Sequence, residues 1–216
     1  SADCTGFKYY QYEIANPGKK SRVCDIWAKA ASPESVASQI TDINSDSTAI
    51  PEGLKYVQGF GHTKITNVQF PSTLEEIGLE AFASCTSLMT ELSFPESLKI
   101  IGQWAFQHSA IKGNLALPHN LESVGEYAFC NCIGLTGSLV IPDKVKVIPS
   151  SVFNHSGFTG TLTLPKGLVT IGAASFADTK FKGELNIPSS VTTIGSYAFG
   201  NTLFNLLIPC PVVADT

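Results

Sequence analysis

A short pattern built around proline repeats along most of this chain, and it limits the possible folds more than any other feature. Eight prolines each follow an apolar residue at intervals of 20 to 24 residues: Pro51, Pro71, Pro95, Pro118, Pro142, Pro165, Pro188 and Pro209. A near-constant period of this length is typical of a solenoid, in which each repeat forms one coil and packs only against its neighbours. We therefore predict one solenoid of about seven coils over residues 49–209.

Apolar residues recur at fixed distances after each proline, and they form the predicted core. A leucine or valine stands three residues after the proline, and an isoleucine or valine stands six residues after it. The eleventh residue is phenylalanine in six copies and His62 in the first copy: Phe82, Phe106, Phe129, Phe153, Phe176 and Phe199. Coils stacked in register would bring these rings into one column.

The residues just before each proline alternate between inward and outward positions, which predicts one short strand per coil. The inward pairs are Leu92/Phe94, Leu115/Leu117, Leu139/Ile141, Leu162/Leu164, Leu185/Ile187 and Leu206/Ile208. Strands of successive coils would pair in parallel about 4.8 Å apart, and proline would end each strand because it has no N–H to donate. The predicted fold is a parallel β ladder of coils of about 23 residues.

Residues 1–48 do not fit the repeat and are predicted to form an N-terminal cap. The chain is expected to form a strand over Phe7–Ile14, a returning strand over Val23–Trp27 and a short helix over 35–40. A solenoid needs such a segment because an uncovered end exposes both its core and an unpaired strand edge. An alternative interpretation is that Trp27 and the neighbouring tyrosines form a ligand platform.

The repeat itself resembles a known family. The pattern Ile-Pro-x-x-Val-x-x-Ile-Gly-x-x-Ala-Phe-x-x-Cys-x-x-Leu-x-x-x-Leu-x-Ile is similar to the BspA-like, or Treponema-type, leucine-rich repeats. The resemblance covers seven copies and implies a leucine-rich-repeat solenoid. It also implies adhesion to host proteins, extracellular matrix or other cells, and therefore an extracellular or cell-surface location.

The outward positions of the predicted strands are candidate binding residues. They are small, weakly polar and mostly uncharged: Glu91, Ser93, Asn114, Ala116, Ser138, Val140, Thr161, Thr163, Glu184 and Asn186. Solenoids present such extended sheets to large ligands. Two interpretations remain open, a solvated sheet face and a surface that binds a protein partner.

Composition and motifs argue against several other functions. Charged residues make up 15% of the chain and the net charge is −4, without the clustered basic surface that nucleic-acid binding requires. No nucleophile elbow, HExxH, Walker or GxGxxG motif occurs, so we predict no catalytic residues, no cofactor and no enzymatic activity.

His108 and His155 lie two coils, or about 10 Å, apart, and no metal site is predicted. The longest apolar stretch, 203–214, is too short to cross a membrane.

Six cysteines allow several pairings, and coil geometry removes some of them. Cys85 and Cys132 lie two coils apart, roughly 9–10 Å, whereas a disulfide needs Cα atoms within about 7 Å. These two and Cys130 are predicted to be unpaired. Cys4 and Cys24 flank the predicted cap hairpin and are the disulfide candidates.

Taken together, these features predict a non-enzymatic protein-binding or adhesion module of a secreted or cell-surface protein, which binds through the sheet face. The alternative is a structural spacer or self-assembly unit of a longer chain or polymer. A tail as short as 210–216 is expected to leave Phe199, Leu203 and Phe204 uncovered, which would allow self-association through the C-terminal solenoid end.

Asn154 begins an Asn-His-Ser sequon and is a glycosylation candidate.

Overall fold

Short β-strands and turns make up the structure. A computed structural model describes residues 55–205 in full and the backbone of residues 7–12, 15–16, 19–20, 24–29 and 48–49. Within these ranges the chain forms strands and turns but no helix. The repeats stack as successive coils, and their apolar residues form one continuous core.

The N-terminal segment contains the predicted hairpin. Strand β1 (Phe7–Tyr12) pairs antiparallel with β4 (Cys24–Lys29). Between them, β2 (Ala15–Asn16) pairs antiparallel with β3 (Lys19–Lys20). The predicted helix at 35–40, the Cys4–Cys24 disulfide and the Trp27 ligand platform lie outside what the structure describes.

The position of this hairpin is consistent with a cap. Strand β4 lies beside β6 (Tyr56–Val57), the first strand after Pro51. Strand β5 (Thr48–Ala49) pairs in parallel with β7 (Val68–Gln69), so the repeat pairing begins near residue 48. The division at residues 48 and 49 into a cap and a repeat domain, with a tail from residue 210, stays a prediction.

The longest ladder is formed by strands that begin five residues after each proline. Strands β6, β8 (Glu76–Ile77), β9 (Ile100–Ile101) and β11 (Ser123–Val124) form one four-stranded parallel sheet. Strands β14 (Val147–Ile148), β16 (Thr170–Ile171) and β18 (Thr193–Ile194) form a second sheet of three parallel strands. The prediction of a single strand per coil, placed before the proline, was therefore wrong. In three of these strands a buried isoleucine is followed by glycine, which allows a second close approach between coils: Ile77, Ile101 and Ile171.

The predicted strands before the prolines are present in shorter pieces. Strands β10 (Lys112–Asn114) and β12 (Gly134–Thr136) pair in parallel, as do β13 (Leu139–Val140) and β15 (Leu162–Thr163). Strands β17 (Lys182–Glu184) and β19 (Leu203–Asn205) form a third parallel pair. A single bridge joins Ser93 to Ala116. The parallel pairing is as predicted, but it is divided among separate short pairs.

Pro149 explains why the longest ladder is divided in two. In the neighbouring coils a glycine occupies this position, and its N–H donates to a carbonyl of the preceding coil: Gly125 to Ile101 and Gly172 to Ile148, both at 2.7 Å. Proline has no N–H, so Pro149 cannot donate the corresponding bond to Val124. The strand pairing stops between β11 and β14 as a result.

A column of stacked phenylalanines runs through the described coils, as predicted. Adjacent rings lie 5.2–5.6 Å apart and within 13° of parallel, in the order Phe60, Phe82, Phe106, Phe129, Phe153, Phe176 and Phe199. The prediction for the first copy was wrong, because Phe60 and not His62 begins the column. The first repeat is shorter, and its phenylalanine stands nine residues after Pro51.

Small residues three positions after each phenylalanine cap buried backbone carbonyls. The Ser109 and Thr179 hydroxyls each donate to the carbonyl of the phenylalanine in their own coil, at 2.7 Å. The Ser156 hydroxyl and the Cys132 thiol donate to the corresponding carbonyl of the preceding coil, at 2.7 and 3.1 Å. Serine, threonine and cysteine alternate here because each supplies a compact donor to a buried carbonyl, which can accept more than one hydrogen bond.

Cys85, Cys130 and Cys132 are free and buried, which confirms that they are unpaired. Burial raises the pKa of the Cys132 thiol to about 12 and also raises the pKa of Cys85 and Cys130. Since the thiolate is the reactive form, these thiols should react slowly in the native protein. We expect iodoacetamide at pH 8 to leave all three unmodified in the folded state and to label all three in denaturant, as read by peptide mass spectrometry. Rapid native labelling of Cys132 would contradict the buried assignment.

Candidate binding surface

The outward strand positions lie together on one exposed face of the solenoid. All ten predicted residues are exposed to solvent, while the leucines between them are buried. This arrangement follows from the strand period of two, which turns every second side chain away from the core. We call these ten residues the sheet face.

Strand register brings several of these side chains into contact across neighbouring coils. Val140 stands beside Thr163 in the β13–β15 pair, and Ser93 stands beside Ala116. The Thr161 hydroxyl lies 3.1 Å from the Ser138 hydroxyl, which also accepts the Thr161 N–H at 2.9 Å. The central part of the face is therefore a neutral surface of short hydroxyl-bearing and β-branched side chains.

Four glycines leave room at this face for side chains of the preceding coil, and no sequence prediction included them. They recur every 23 or 24 residues, each two residues before a buried leucine: Gly113, Gly137, Gly160 and Gly183. In each case the hydrogen of the glycine faces a side chain of the preceding coil. The Glu91 side chain, for example, would lie 3.2 Å from an added Cβ at Gly113. The repeated Gly-x-Leu spacing was the sequence signal that could have revealed them.

Charge is confined to the ends of the sheet face. Glu91 and Glu184 belong to the first and last of its coils, with no charged residue among the other eight members. The largest apolar side chain at its centre is Val140, which is 59% exposed. A surface of this kind can contact a partner through backbone and short side chains without first desolvating charges.

The glycosylation candidate Asn154 lies away from the sheet face and is held by the fold. Its side-chain amide donates to the Ala177 carbonyl at 3.2 Å. Ser156, the third residue of the sequon, is buried, and its hydroxyl is bonded to the Phe129 carbonyl. Modification of Asn154 therefore stays a prediction, and it would require access to the sequon before this coil closes.

The histidines are dispersed along the solenoid. His155 lies 3.4 Å from Asp178, and His119 lies 3.4 Å from Glu96. His62 and His108 occupy left-handed turn positions, with φ of 61° and 55°. In the part of the chain that the structure describes, no three His, Cys, Asp or Glu side chains are placed to hold a metal ion.

The repeated coil pattern matches the model of a known repeat family. A model of the BspA type leucine-rich repeat region, with six copies, matches residues 56–156 and 113–208. The chain belongs to the BspA-type leucine-rich repeat family. Repeats of this family generally mediate protein interaction and are typically non-catalytic. Among curated proteins, none matches this chain.

Two solved structures of leucine-rich repeat proteins are similar to this BspA-type solenoid. A leucine-rich cell surface protein from Faecalibacterium prausnitzii is 26% identical, with a TM-score of 0.58, over 74% of this chain and 48% of that one. A leucine-rich repeat protein from Bacteroides ovatus is 21% identical, with a TM-score of 0.50, over 69% of this chain and 45% of that one. The matched region thus spans about half the length of each relative.

Over the described residues, no helix is long and apolar enough to span a membrane.

Proposed function

We propose that this BspA-type repeat region is the binding module of a secreted or cell-surface protein and mediates adhesion through the sheet face. The observation that carries the proposal is the exposed and centrally neutral sheet face, on which strand register groups short side chains. The Faecalibacterium relative, described as a cell surface protein, supports the extracellular location. The expected ligands are protein components of a matrix, a host surface or another cell.

A charge-introduction experiment tests the sheet face. Thr163→Lys with Asn186→Lys places two positive charges on neighbouring coils, and both positions are exposed. We expect this double variant to lose binding to immobilised matrix and host-surface proteins in a pull-down, with its melting temperature nearly unchanged, because exposed substitutions of this kind cost about 0.5 kcal/mol or less.

The matched control adds the same charge elsewhere. Ser123→Lys with Thr193→Lys alters two exposed strand residues of the longest ladder, and this variant should bind as the wild type does. Equal loss in both variants would show a nonspecific charge effect. Unchanged binding by the Thr163/Asn186 variant would place the binding site away from the sheet face.

A second candidate function, as a spacer or self-assembly unit, is favoured by the last described coil. Ile194 is 49% exposed, whereas Ile171, at the same position one coil earlier, is fully buried. Phe199 and Phe204 are only partly buried. Light scattering at rising concentration tests end-to-end association, and Ile194→Ser should abolish it. A concentration-independent monomer would exclude self-assembly.

A further inference from the structure

A second exposed surface lies on a different part of the coil, nine residues after the proline. Trp104 and Tyr127 occupy this position in consecutive coils, and their ring centroids lie 6.3 Å apart with a 35° tilt. Both side chains are partly exposed. The phenylalanines of the core stack closer and nearly parallel, so this pair is a looser and more open arrangement of rings.

Coil geometry does not require aromatic residues at this position. The fold sets a positive φ there in every described coil from Glu80 to Tyr197, with values between 52° and 61°. Ser151 and Ala174 occupy the position in later coils. A bulky side chain is uncommon at positive φ. The choice of Trp104 and Tyr127 is therefore not explained by folding alone.

Two glutamates neighbour this aromatic pair in the backbone of adjacent coils. Glu80 precedes Trp104 in the same column, and its N–H donates to the Gln103 carbonyl at 3.0 Å. Glu126 directly precedes Tyr127, and its carboxylate accepts from the Gln103 side-chain amide at 3.3 Å. The backbone N–H of Trp104 donates to the backbone carbonyl of Glu126 at 2.9 Å, which places the two residues side by side in adjacent coils.

These carboxylates are not neutralised by the cations of the described coils. No lysine, arginine or histidine of the described part of the chain lies within ion-pair distance of Glu80 or Glu126. The nearby Lys55 and Lys99 are both bound to Glu75, at 2.7 and 2.9 Å, and their hydrogen bonds lower the pKa of Glu75 to about 2. Among the described residues, the surface thus combines two aromatic rings with two carboxylates that have no ion-pair partner.

We propose that Trp104, Tyr127, Glu80 and Glu126 form a docking surface for an arginine side chain of a partner protein. A guanidinium group stacks on aromatic rings and binds carboxylates through its planar set of donors. Two carboxylates without an ion-pair partner among the described residues favour a positively charged occupant over a neutral sugar. This surface is separate from the sheet face and does not depend on it.

The test uses two short peptides that differ only in charge. An Ac-Gly-Arg-Gly-Arg-Gly amide and its citrulline counterpart are titrated into the ¹⁵N-labelled chain, and the Trp104 indole signal is followed by NMR. Trp104→Leu identifies that signal by its loss. We expect the arginine peptide to shift the signal, the citrulline peptide to have little effect, and added salt to weaken the response.

Two variants that each remove one negative charge distinguish a specific contact of Glu126 from a general effect of charge. Glu126→Gln should weaken arginine-peptide binding by about two- to thirty-fold, as the loss of one charged contact in a cation–aromatic site implies. Glu122→Gln removes the same charge from the same coil and should leave the affinity unchanged. The remaining signals of each spectrum report whether the variant is folded.

Three outcomes would overturn the proposal. The first is an equal response to both peptides, and the second is an equal loss of affinity in the Glu126 and Glu122 variants. The third is a shift of the Trp104 signal by a neutral N-acetylglucosamine trisaccharide but not by the arginine peptide, which would assign the rings to carbohydrate. The Thr163/Asn186 double variant should retain peptide binding, so failure of the sheet-face proposal would be distinguishable.

Discussion

Replacing Phe129 with alanine is expected to lower the free energy of unfolding by about 3–5 kcal/mol, the range for buried phenylalanine truncations. Phe129 is fully buried and stacks on Phe106 at 5.3 Å and on Phe153 at 5.6 Å. The backbone of this coil is bonded to the coils on both sides, so it cannot collapse into the space that the ring leaves. Urea denaturation followed by circular dichroism measures the loss.

Phe199→Ala is the matched control for this prediction. Phe199 belongs to the same column but is only partly buried and stacks in the described structure on Phe176 alone among the column rings. Its truncation should therefore cost distinctly less than that of Phe129. A loss below about 1 kcal/mol for Phe129→Ala, or equal losses in both variants, would contradict the stacked-core description.

Gly125→Ala is expected to destabilise the chain by about 1–3 kcal/mol or more, the range for adding a methyl group to a closely packed interior. An added Cβ would overlap the Gln103 backbone nitrogen and lie 2.5 Å from the Gln103 Cα. The coils could relieve this contact only by separating, which would weaken the 2.7 Å bond from the Gly125 N–H to the Ile101 carbonyl.

Gly167→Ala serves as the control for this second substitution. An added Cβ at Gly167 would meet only the side chain of Lys146, whose flexible end can move away at little cost. We expect Gly167→Ala to change the unfolding midpoint by much less than Gly125→Ala does. Similar midpoints for the two variants would show that the coils tolerate a side chain at Gly125 and would contradict the close approach.

The sheet face was accessible from sequence because it depends on local alternation. Residues such as Thr161 and Thr163 flank the inward Leu162, and a strand period of two places them outward whatever the rest of the coil does. The Trp104–Tyr127 surface was missed, because aromatic residues occur nine residues after the proline in only some copies and so form no periodic pattern. That pairing depends on the register between whole coils.

By itself, the sequence determined the solenoid, its coil length, the phenylalanine column and the unpaired state of Cys85 and Cys132. These features follow from a periodic pattern, because every copy must bury the same positions against its neighbours. The tertiary structure decided what depends on contacts between particular coils. It placed Phe60 in the column instead of His62, since ring stacking outweighs equal spacing from the proline. It also set a second ladder at the isoleucine–glycine positions and ended that pairing at Pro149, where no N–H is available to the preceding coil.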